Sequence, residues 1–304
     1  MSPVILVAGS ANLDFVVRAH DIPGPGETVL GRDFQTFPGG KGANQAVACA
    51  RAGDVATHLL AAFGKDAFAA PIEASLRNAR VIVHAVRSDH SPTGTAFICV
   101  SDTAENAITV APGANADLAP GHLPALDGFT HLLMQLEVPL DTVLAYARQA
   151  KSAGLQVVLN AAPARPLPAE LLAATDVLIV NAVELAQLSG QGGTVEDKLQ
   201  SLAVPLVVVT LGAEGCCARH QDKLHFQAGF RIHPVDTTAA GDTFCGALTS
   251  ALALGQSVGQ ALQFATAASA LACLKPGAQS SIPDRLEVQN FLCANPQPDL
   301  SKAP

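Results

Sequence analysis

The feature that most constrains this chain is a series of short, largely apolar segments separated by longer stretches with helical spacing. The apolar segments are Val4–Ala8, His131–Leu136, Gln156–Leu159, Val177–Val180 and Leu206–Thr210. A strand that is apolar at every position needs cover on both faces of its sheet, which is typical of parallel sheets. The intervening stretches with helical spacing include Gly42–Arg51, Ala67–Asn78, Leu140–Ala153 and Val195–Leu202. This alternation predicts an α/β fold: an open, mostly parallel sheet with helices on both faces, joined by right-handed crossovers.

Two regions interrupt this alternation. Glu27–Phe37 and Ala96–Val110 are strand-like, and part of each alternates between apolar and polar residues. We therefore predict a small β-sheet lid, formed by residues of about 12–40 and 95–111, on a single domain that spans 1–304. Towards the C-terminus, Ala240–Leu254 and Val258–Lys275 predict two long, alanine-rich helices.

Composition excludes several classes of protein. Hydrophobic residues make up 49% of the 304 residues and charged residues 14%, against a usual charged share of roughly 25%. Such a chain can bury a large core. The net charge is −8 and there is no polybasic block, so we expect neither nucleic acid nor an anionic membrane as a partner.

Targeting signals and a cysteine framework are also missing from the sequence. The longest apolar stretches, such as Pro205–Leu211 and Ala265–Leu274, are shorter than the roughly 18 residues that a membrane span needs. No basic region precedes the first apolar run, which predicts a buried strand instead of a signal peptide. The seven cysteines include no C-x-x-C pair, so we predict reduced, buried thiols in a cytoplasmic protein.

The common nucleotide-binding motifs are incomplete. Gly9–Asp14 follows the first strand but does not read G-x-G-x-x-G. Neither Gly40-Lys41 nor Gly64-Lys65 is followed by Ser or Thr, as a Walker A loop requires. These departures argue against a dinucleotide-dependent dehydrogenase and against a P-loop NTPase.

A stronger candidate is Asp236–Phe244, which leads directly into an alanine-rich helix. Small residues before a helix let a ligand approach the backbone, and the free N–H groups of the first turn attract an anion. Asp242, in that turn, could accept a proton from a hydroxyl group while the amides stabilise charge on a phosphoryl group. The alternative is that Asp242 only caps the helix.

Polar residues near strand ends supply a second set of candidates. Gly39–Asn44 has three glycines in four residues, followed by Asn44 and interrupted by Lys41. A turn before a helix would explain the glycines but not the polar pair. Asn12 and Asp14 follow the first strand, and Glu137 follows another. Ligands of α/β sheets bind beyond the carboxyl ends of strands, so these groups could bind a polyol, or they could be ordinary loop residues.

Three further segments could bind ions or a nucleotide. Thr210–Gly215 follows an apolar strand and could form a nucleotide-binding loop. Asn181 and Glu184 could hold the water ligands of Mg²⁺ or contact a phosphate, although Asn181 also suits a helix N-cap. Lys275–Ser281 is rich in turn residues and could present backbone carbonyls to a monovalent cation.

Taken together, these motifs resemble a known family. Gly39–Asn44 and Asp236–Leu248 match the two signatures of the PfkB carbohydrate kinase family, about 200 residues apart, and the resemblance extends from Val4 to Leu292. It implies a three-layer, Rossmann-like fold with a β-sheet lid, which often pairs two subunits, and therefore a homodimer. The implied reaction is phosphorylation of D-ribose at O5 by ATP with Mg²⁺, activated by K⁺.

The resemblance also implies a role for individual residues. Asp242 would be the general base, with Ala239, Ala240 and Gly241 forming the anion hole through their N–H groups. The residues implied to bind ribose are Asn12, Asp14, Gly40, Lys41, Asn44 and Glu137. Those implied to bind ATP are Asn181, Glu184 (through Mg²⁺ and its waters), Thr210, Gly212, Gly215, Gly241 and Thr266. The K⁺ site would comprise Asp236, Thr238, Ala272, Lys275, Gly277 and Ser281, several through backbone carbonyls.

Three positions depart from the family pattern, and more than one molecule could be the acceptor of the phosphoryl group. Phe15 stands where a polar residue is common, Cys245 where Asn is common, and Ala182 where Glu is typical. A nucleoside acceptor would need apolar or aromatic surface, but aromatics are only 4% of the chain. A fructose phosphate would need extra Lys or Arg residues near the lid, and the whole chain has only 18. The sequence does not separate ribose from 2-deoxyribose. A non-catalytic sugar-binding protein would not need Asp242 beside the anion hole.

Overall fold

The computed structural model describes residues 2–103, 105–190 and 192–296 as alternating strands and helices. The strands are β1 (Val4–Ala8), β2 (Asn12–Arg18), β3 (Arg32–Gly39), β4 (Ala56–Phe63), β5 (Ile82–Arg87), β6 (Gly94–Val100), β7 (Asn106–Ala111), β8 (His131–Met134), β9 (Gln156–Asn160), β10 (Val177–Asn181), β11 (Leu206–Thr210), β12 (Gly215–His220) and β13 (Lys223–Ala228). The helices are α1 (Lys41–Arg51), α2 (Ala69–Asn78), α3 (Leu140–Ser152), α4 (Ala169–Ala173), α5 (Ala182–Ser189), α6 (Val195–Ser201), α7 (Ala240–Ala253), α8 (Val258–Ala272) and α9 (Arg285–Ala294).

The large sheet has nine strands in the order β13-β12-β11-β10-β9-β8-β1-β4-β5. Seven neighbouring strands, from β11 to β5, run parallel, and only β12 and β13 are antiparallel. The antiparallel pair arises because short connections without an α-helix link β11 to β12, through one 3-10 turn, and β12 to β13. The predicted open, mostly parallel sheet is confirmed.

Helices cover both faces of this sheet, as predicted. Successive residues of β1 illustrate this, because Ile5 and Val7 belong to one buried cluster while Leu6 and Ala8 belong to the other. The first cluster includes residues of α1, α2, α7 and α8, and the second includes residues of α3, α4, α5 and α6. Both faces of β1 are therefore covered by helices and shielded from solvent, which explains why β1 is apolar at every position.

A second, four-stranded sheet has the order β3-β2-β6-β7. β2 runs antiparallel to β3 and parallel to β6, and β6 forms a hairpin with β7. On one face Val16 pairs with Ile98, which pairs with Ile108. Ile108 and Val110 are 55% and 41% exposed, so this face has an open apolar part, although the register also places Asp14 on it, in the row of Val110.

Several element predictions need correction. Asn12 and Asp14 do not end the first strand, because β1 stops at Ala8 and both residues lie on β2 of the small sheet. The predicted strand Glu27–Phe37 is displaced to Arg32–Gly39, with turns and irregular backbone before it, and Ala96–Val110 is two strands. The last long helix ends at Ala272, three residues early.

No helix among the described residues is long and apolar enough to cross a membrane. The cytoplasmic location stays a prediction.

Close approach between β1 and α1 makes Gly42 sensitive to substitution. A Cβ on Gly42 would lie 2.6 Å from the Gly9 carbonyl carbon and 2.7 Å from the Ser10 nitrogen, both backbone atoms. We expect Gly42→Ala to lower the free energy of unfolding by about 1–3 kcal/mol, since the backbone must move. Gly259→Ala is the matched control, because a Cβ on this α8 glycine meets nothing within 4 Å.

Denaturant titration measures both variants. We expect Gly259→Ala to raise the free energy of unfolding by about 0.5 kcal/mol, since alanine favours the helix. Equal effects of the two substitutions would contradict the packing that we describe.

Candidate active site

The N-terminus of α1 is held by groups from the ends of β1 and β8. Gly40 has a φ of 89°, a conformation that favours glycine. The hydroxyl of Ser10 donates to Glu137 Oε2 over 2.5 Å and accepts from the Gly42 N–H over 3.3 Å. The Lys41 N–H also donates to Glu137 Oε2, over 3.3 Å. Glu137 therefore fixes the start of the helix that carries Lys41 and Asn44.

The N-terminus of α7 forms the opposite side of the site. Ala239 precedes the helix in the left-handed region, with a φ of 58°. The first turn of any helix leaves N–H groups without partners inside the helix. One of the three predicted anion-hole donors is engaged, since the Ala240 N–H donates to the Thr237 carbonyl over 3.2 Å.

The Asp242 carboxylate faces α1 and does not cap its own helix. Asp242 Oδ2 accepts from Asn44 Nδ2 and Oδ1 accepts from Gln45 Nε2, both over 2.9 Å. The residue at the N-cap is Ala239, and no side-chain capping bond is present there. The structure thus brings Asn44 and Asp242 into contact, and the alternative reading of Asp242 as a simple helix cap is wrong.

Four carboxylates interact electrostatically with one ammonium group, that of Lys41, at this site. The charge of Asp242, ahead of that of Glu137, holds the pKa of Lys41 above its usual value despite burial. Burial, followed by the charges of Glu137 and Asp242, raises the pKa of Asp14 to about 7, and Lys41 opposes this shift. The Asp14 carboxylate lies against Gly39, where any side chain would overlap it.

Asn12 is oriented by a residue that the sequence analysis missed. Asn115 Nδ2 donates to Asn12 Oδ1 over 2.8 Å, while Asn115 Oδ1 accepts from the Ala11 N–H over 2.9 Å. Both asparagine side chains are buried. Gly94 leaves the space that this pair needs, because a Cβ there would overlap both side chains.

The residues predicted to bind ATP gather at the ends of β10, β11 and β12. Asn181 of β10 is in register with Thr210 of β11, which is in register with Cys216 of β12. The Cys216 sulfur lies 3.6 Å from the Thr266 hydroxyl of α8. Gly212 and Gly215 belong to the turn that links the two antiparallel strands.

Asn181 caps α5, as one of its two sequence interpretations predicts. Its side-chain oxygen accepts from the Glu184 N–H, and its own N–H donates to Glu184 Oε2, each over 2.8 Å. Burial raises the pKa of Glu184, although the Asn181 N–H and the charge of Lys41 oppose the shift. The cap uses one oxygen of Glu184 and leaves the other for a ligand.

The residues predicted to bind K⁺ lie in two loops, which the Asp236 carboxylate joins by hydrogen bonds. Its carboxylate accepts from the Thr238 N–H and from the Gly277 N–H, both over 2.9 Å. Burial raises the pKa of Asp236, but these hydrogen bonds outweigh it and leave the pKa below its usual value. The Lys275 ammonium pairs with Glu287 over 2.8 Å, so only its carbonyl is available to a cation.

The remaining two cation residues lie at the same turn. The Ala272 carbonyl accepts from the Lys275 N–H over 3.4 Å, and the Ser281 hydroxyl donates to the Ala278 carbonyl over 2.8 Å. No cluster of three or more His, Cys, Asp or Glu side chains suited to a metal occurs in the described part of the chain. The available ligands are therefore one carboxylate, hydroxyl groups and carbonyls, which suit a hard, weakly bound cation.

Sequence analysis also missed a group of buried amides behind Asp242. These are Gln45, Gln135 and Asn160, which hydrogen-bond to one another. Helical spacing gives one signal for Gln45, since its neighbours Ala43, Ala46 and Val47 are all in the core. A polar residue between such neighbours needs a buried partner.

Comparison with known proteins identifies the family. The model of the pfkB family carbohydrate kinases matches residues 3–285. A ribokinase from Haemophilus influenzae is 37% identical over 96% of this chain and 99% of its own length. The structure of a ribokinase from Thermotoga maritima is 36% identical and superposes with a TM-score of 0.89, covering 96% of this chain and 99% of that one.

Two further relatives bear on the acceptor. A ribokinase from Arabidopsis thaliana, solved in complex with ribose and ATP, is 33% identical with a TM-score of 0.87, covering 96% of this chain and 99% of that one. A deoxyribokinase from Salmonella typhi is 30% identical over 96% of this chain and 99% of its own. From the family match and these identities, the chain belongs to the pfkB family of carbohydrate kinases.

Proposed function

We propose that this kinase transfers the γ-phosphoryl group of ATP to O5 of D-ribose, which gives D-ribose 5-phosphate and ADP. The observation that carries the proposal is the buried Asp242 carboxylate, held by two amides at the N-terminus of α7. The relatives named ribokinase at 36% and 37% identity supply the choice of sugar.

The sugar would bind between the small sheet and the N-terminus of α1. Carboxylates of Asp14 and Glu137 accept hydrogen bonds from hydroxyl groups, and the Lys41 ammonium donates them. Asn44 Oδ1 is buried and has no partner among the described residues, so it offers an acceptor to a sugar hydroxyl. Gly40 lets the backbone approach the sugar closely.

Asp242 would act as the general base. As the bond between O5 and the γ-phosphorus forms and the bond from that phosphorus to the oxygen of ADP breaks, the O5 proton passes to the carboxylate. N–H groups of Ala239, Ala240 and Gly241 would face the charge that develops on the phosphoryl oxygens. Ala240 would have to give up its bond to the Thr237 carbonyl to do so.

ATP would lie over the ends of β10 and β11, against Thr210, Gly212, Gly215, Gly241 and Thr266. Asn181 and the free oxygen of Glu184 would hold the waters of Mg²⁺. Magnesium, bound with ATP, neutralises phosphate charge during transfer. Ala182 replaces the glutamate typical of this segment, so Glu184 is the carboxylate left for this task.

The loops joined by Asp236 fit a K⁺ ion. The ligands would be Asp236, Thr238, Ala272, Lys275, Gly277 and Ser281, mainly through carbonyls. A cation there strengthens the positive field at the anion hole. The Asp236 hydrogen bonds to Thr238 and Gly277 tie this loop pair to the residues just before α7.

We further propose that the chain acts as one domain with the small sheet as a lid. The open apolar part of the sheet face that contains Ile108 and Val110 lies on this lid. Exposed apolar surface of this kind favours burial against a second subunit, which supports a homodimer through the lid.

An ADP-release assay with Mg²⁺ and ATP tests the proposed acceptor. We expect turnover with D-ribose that is higher in K⁺ than in Na⁺, and weaker turnover with 2-deoxy-D-ribose, fructose 6-phosphate and nucleosides. Turnover with 2-deoxyribose alone would reassign the sugar while keeping the chemistry. Absence of ADP with every acceptor would favour a sugar-binding protein.

Substitution of the proposed base gives a sharper prediction. General-base catalysis contributes about 10²–10⁴-fold, so we expect Asp242→Asn to lower kcat by at least 100-fold while calorimetry still detects ribose binding. Asp284→Asn is the matched control, because Asp284 is the N-cap of α9, a position where Asn serves as well. Near-normal turnover of Asp242→Asn would remove Asp242 as the base.

Asp14 predicts a pH dependence of stability. A carboxyl pKa raised to about 7 from 3.8 means that the folded chain binds more protons than the unfolded chain between these values. Stability therefore falls as pH rises from about 4 to 7, and the full penalty persists above pH 7. Asp14→Asn removes this penalty, so we expect it to raise Tm at pH 8 by about 5 °C and at pH 5, where only part of the penalty has developed, by less than half as much.

Thermal unfolding at both pH values measures this effect. The exposed Asp141 in the first turn of α3 supplies the control, and we expect Asp141→Asn to shift Tm equally at pH 5 and pH 8. Equal shifts for Asp14→Asn at the two pH values would contradict the prediction.

A further inference from the structure

A chain of buried amides leads from β8 to the carboxylate of Asp242. Gln135 Nε2 donates to Gln45 Oε1 over 2.7 Å. Gln45 Nε2 in turn donates to Asp242 Oδ1 over 2.9 Å and to Asn160 Oδ1 over 3.0 Å. Every hydrogen-bonding position of the Gln45 amide nitrogen is thus occupied, and its oxygen has a partner.

Asn160 fixes which end of Gln45 faces Asp242. Asn160 Nδ2 donates to the Ile179 carbonyl over 3.2 Å, so its oxygen is the end that meets Gln45. That oxygen can only accept, and it therefore requires the amide nitrogen of Gln45. Gln135 Nε2 donates to the oxygen of Gln45 from the other side. The network therefore always presents an N–H group to Asp242.

The amides of this network are buried, so their role is not to interact with solvent. Gln45 and Gln135 are both fully inaccessible to solvent. A buried amide adds little stability beyond an apolar side chain of the same shape, because its desolvation must be offset by its hydrogen bonds. Gln45 also lies where α1 and α7 approach closely, since a Cβ on Gly246 would be 2.6 Å from the Gln45 carbonyl.

The two amides on Asp242 differ in what else they can bind. Asn44 has an unpartnered oxygen, and the proposed function places it against the sugar. Gln45 has no free polar atom in its side chain, since its partners are Gln135, Asn160 and Asp242. Asn44 can therefore exchange its bond when a sugar binds, whereas Gln45 keeps its bond to Asp242 throughout.

We propose that Gln45 is a positioning residue for the phosphoryl transfer, held in place by Gln135 and Asn160. It anchors Asp242 Oδ1 against α1, so that the carboxylate stays aligned while Oδ2 faces the acceptor hydroxyl. This inference rests on the proposed role of Asp242 as the base, and it assigns no contact with the sugar or ATP to Gln45.

The test replaces Gln45 with methionine, which has a similar length and no donor. Small misplacements of a catalytic group lower rates by up to about 100-fold, so we expect Gln45→Met to lower kcat by about 10- to 100-fold. The KM values for ribose and ATP should stay within about twofold of wild type, because no ligand contact is lost. If Gln45→Met only weakened packing, it would lower Tm but would not lower kcat at an unchanged KM.

Two further variants keep the test decisive. Gln135→Met leaves the Gln45–Asp242 bond in place but frees the amide to rotate, so we expect a smaller fall in kcat, again without a change in KM. Tyr146→Phe is the control for a lost buried hydrogen bond, because Tyr146 donates to the Ala119 carbonyl in the other core cluster. It should lower Tm and leave kcat unchanged.

The outcomes separate this inference from the proposed function. An active wild-type enzyme with unchanged kcat in Gln45→Met and Gln135→Met would overturn the inference alone. A fall in kcat no larger than that of Tyr146→Phe would do the same. A wild-type protein that phosphorylates no sugar would overturn the proposed function, and the inference with it.

Discussion

The structure depends on one contact, between the first turns of α1 and the N-terminus of α7. The side-chain amides of Asn44 and Gln45 each donate a hydrogen bond to one oxygen of Asp242. Two segments about 200 residues apart in sequence therefore meet at a single carboxylate. Because β3 of the small sheet ends at Gly39, directly before α1, the lid is covalently continuous with the helix that holds the carboxylate. In the proposed function, closure of the lid over a sugar would therefore be linked through α1 to the alignment of Asp242.

Small residues make this contact possible. Gly42 lets α1 approach the end of β1, and Gly246 lets α7 approach α1. The close packing buries Asp14 and Asp242 beside Glu137 and Lys41, which are partly buried. Charges in such surroundings interact more strongly than in water, which suits a reaction that moves a proton and a phosphoryl group.

The sequence predicted much of the parallel sheet because a strand buried on both faces must be largely apolar, as Val4–Ala8 and Leu206–Thr210 are. It failed for β5, β12 and β13, whose patterns are mixed because they lie at or near the sheet edges. It also missed β4, which is buried along most of its length. It also misplaced Asn12 and Asp14, since nothing in local spacing shows that the chain leaves one sheet after Ala8 and enters another at Asn12.

Within the site, the glycines and charged residues were predictable because they cluster in short segments just before or within the first turn of a helix, or beyond the end of a predicted strand. Gln45, Gln135, Asn115 and Asn160 were not, because an amide is ordinary on a surface and acquires meaning only when tertiary contacts bury it. The pairing of Asn181 with Glu184 was visible as a capping pattern, and the structure contains that cap.

A crystal structure with D-ribose and a non-hydrolysable ATP analogue tests the central claim most directly. The account predicts ribose O5 within about 3 Å of Asp242 Oδ2, opposite the γ-phosphoryl group, with Gln45 still bonded to Oδ1. A complex in which O5 lies away from Asp242, or in which another side chain contacts O5 at the phosphoryl group, would contradict it.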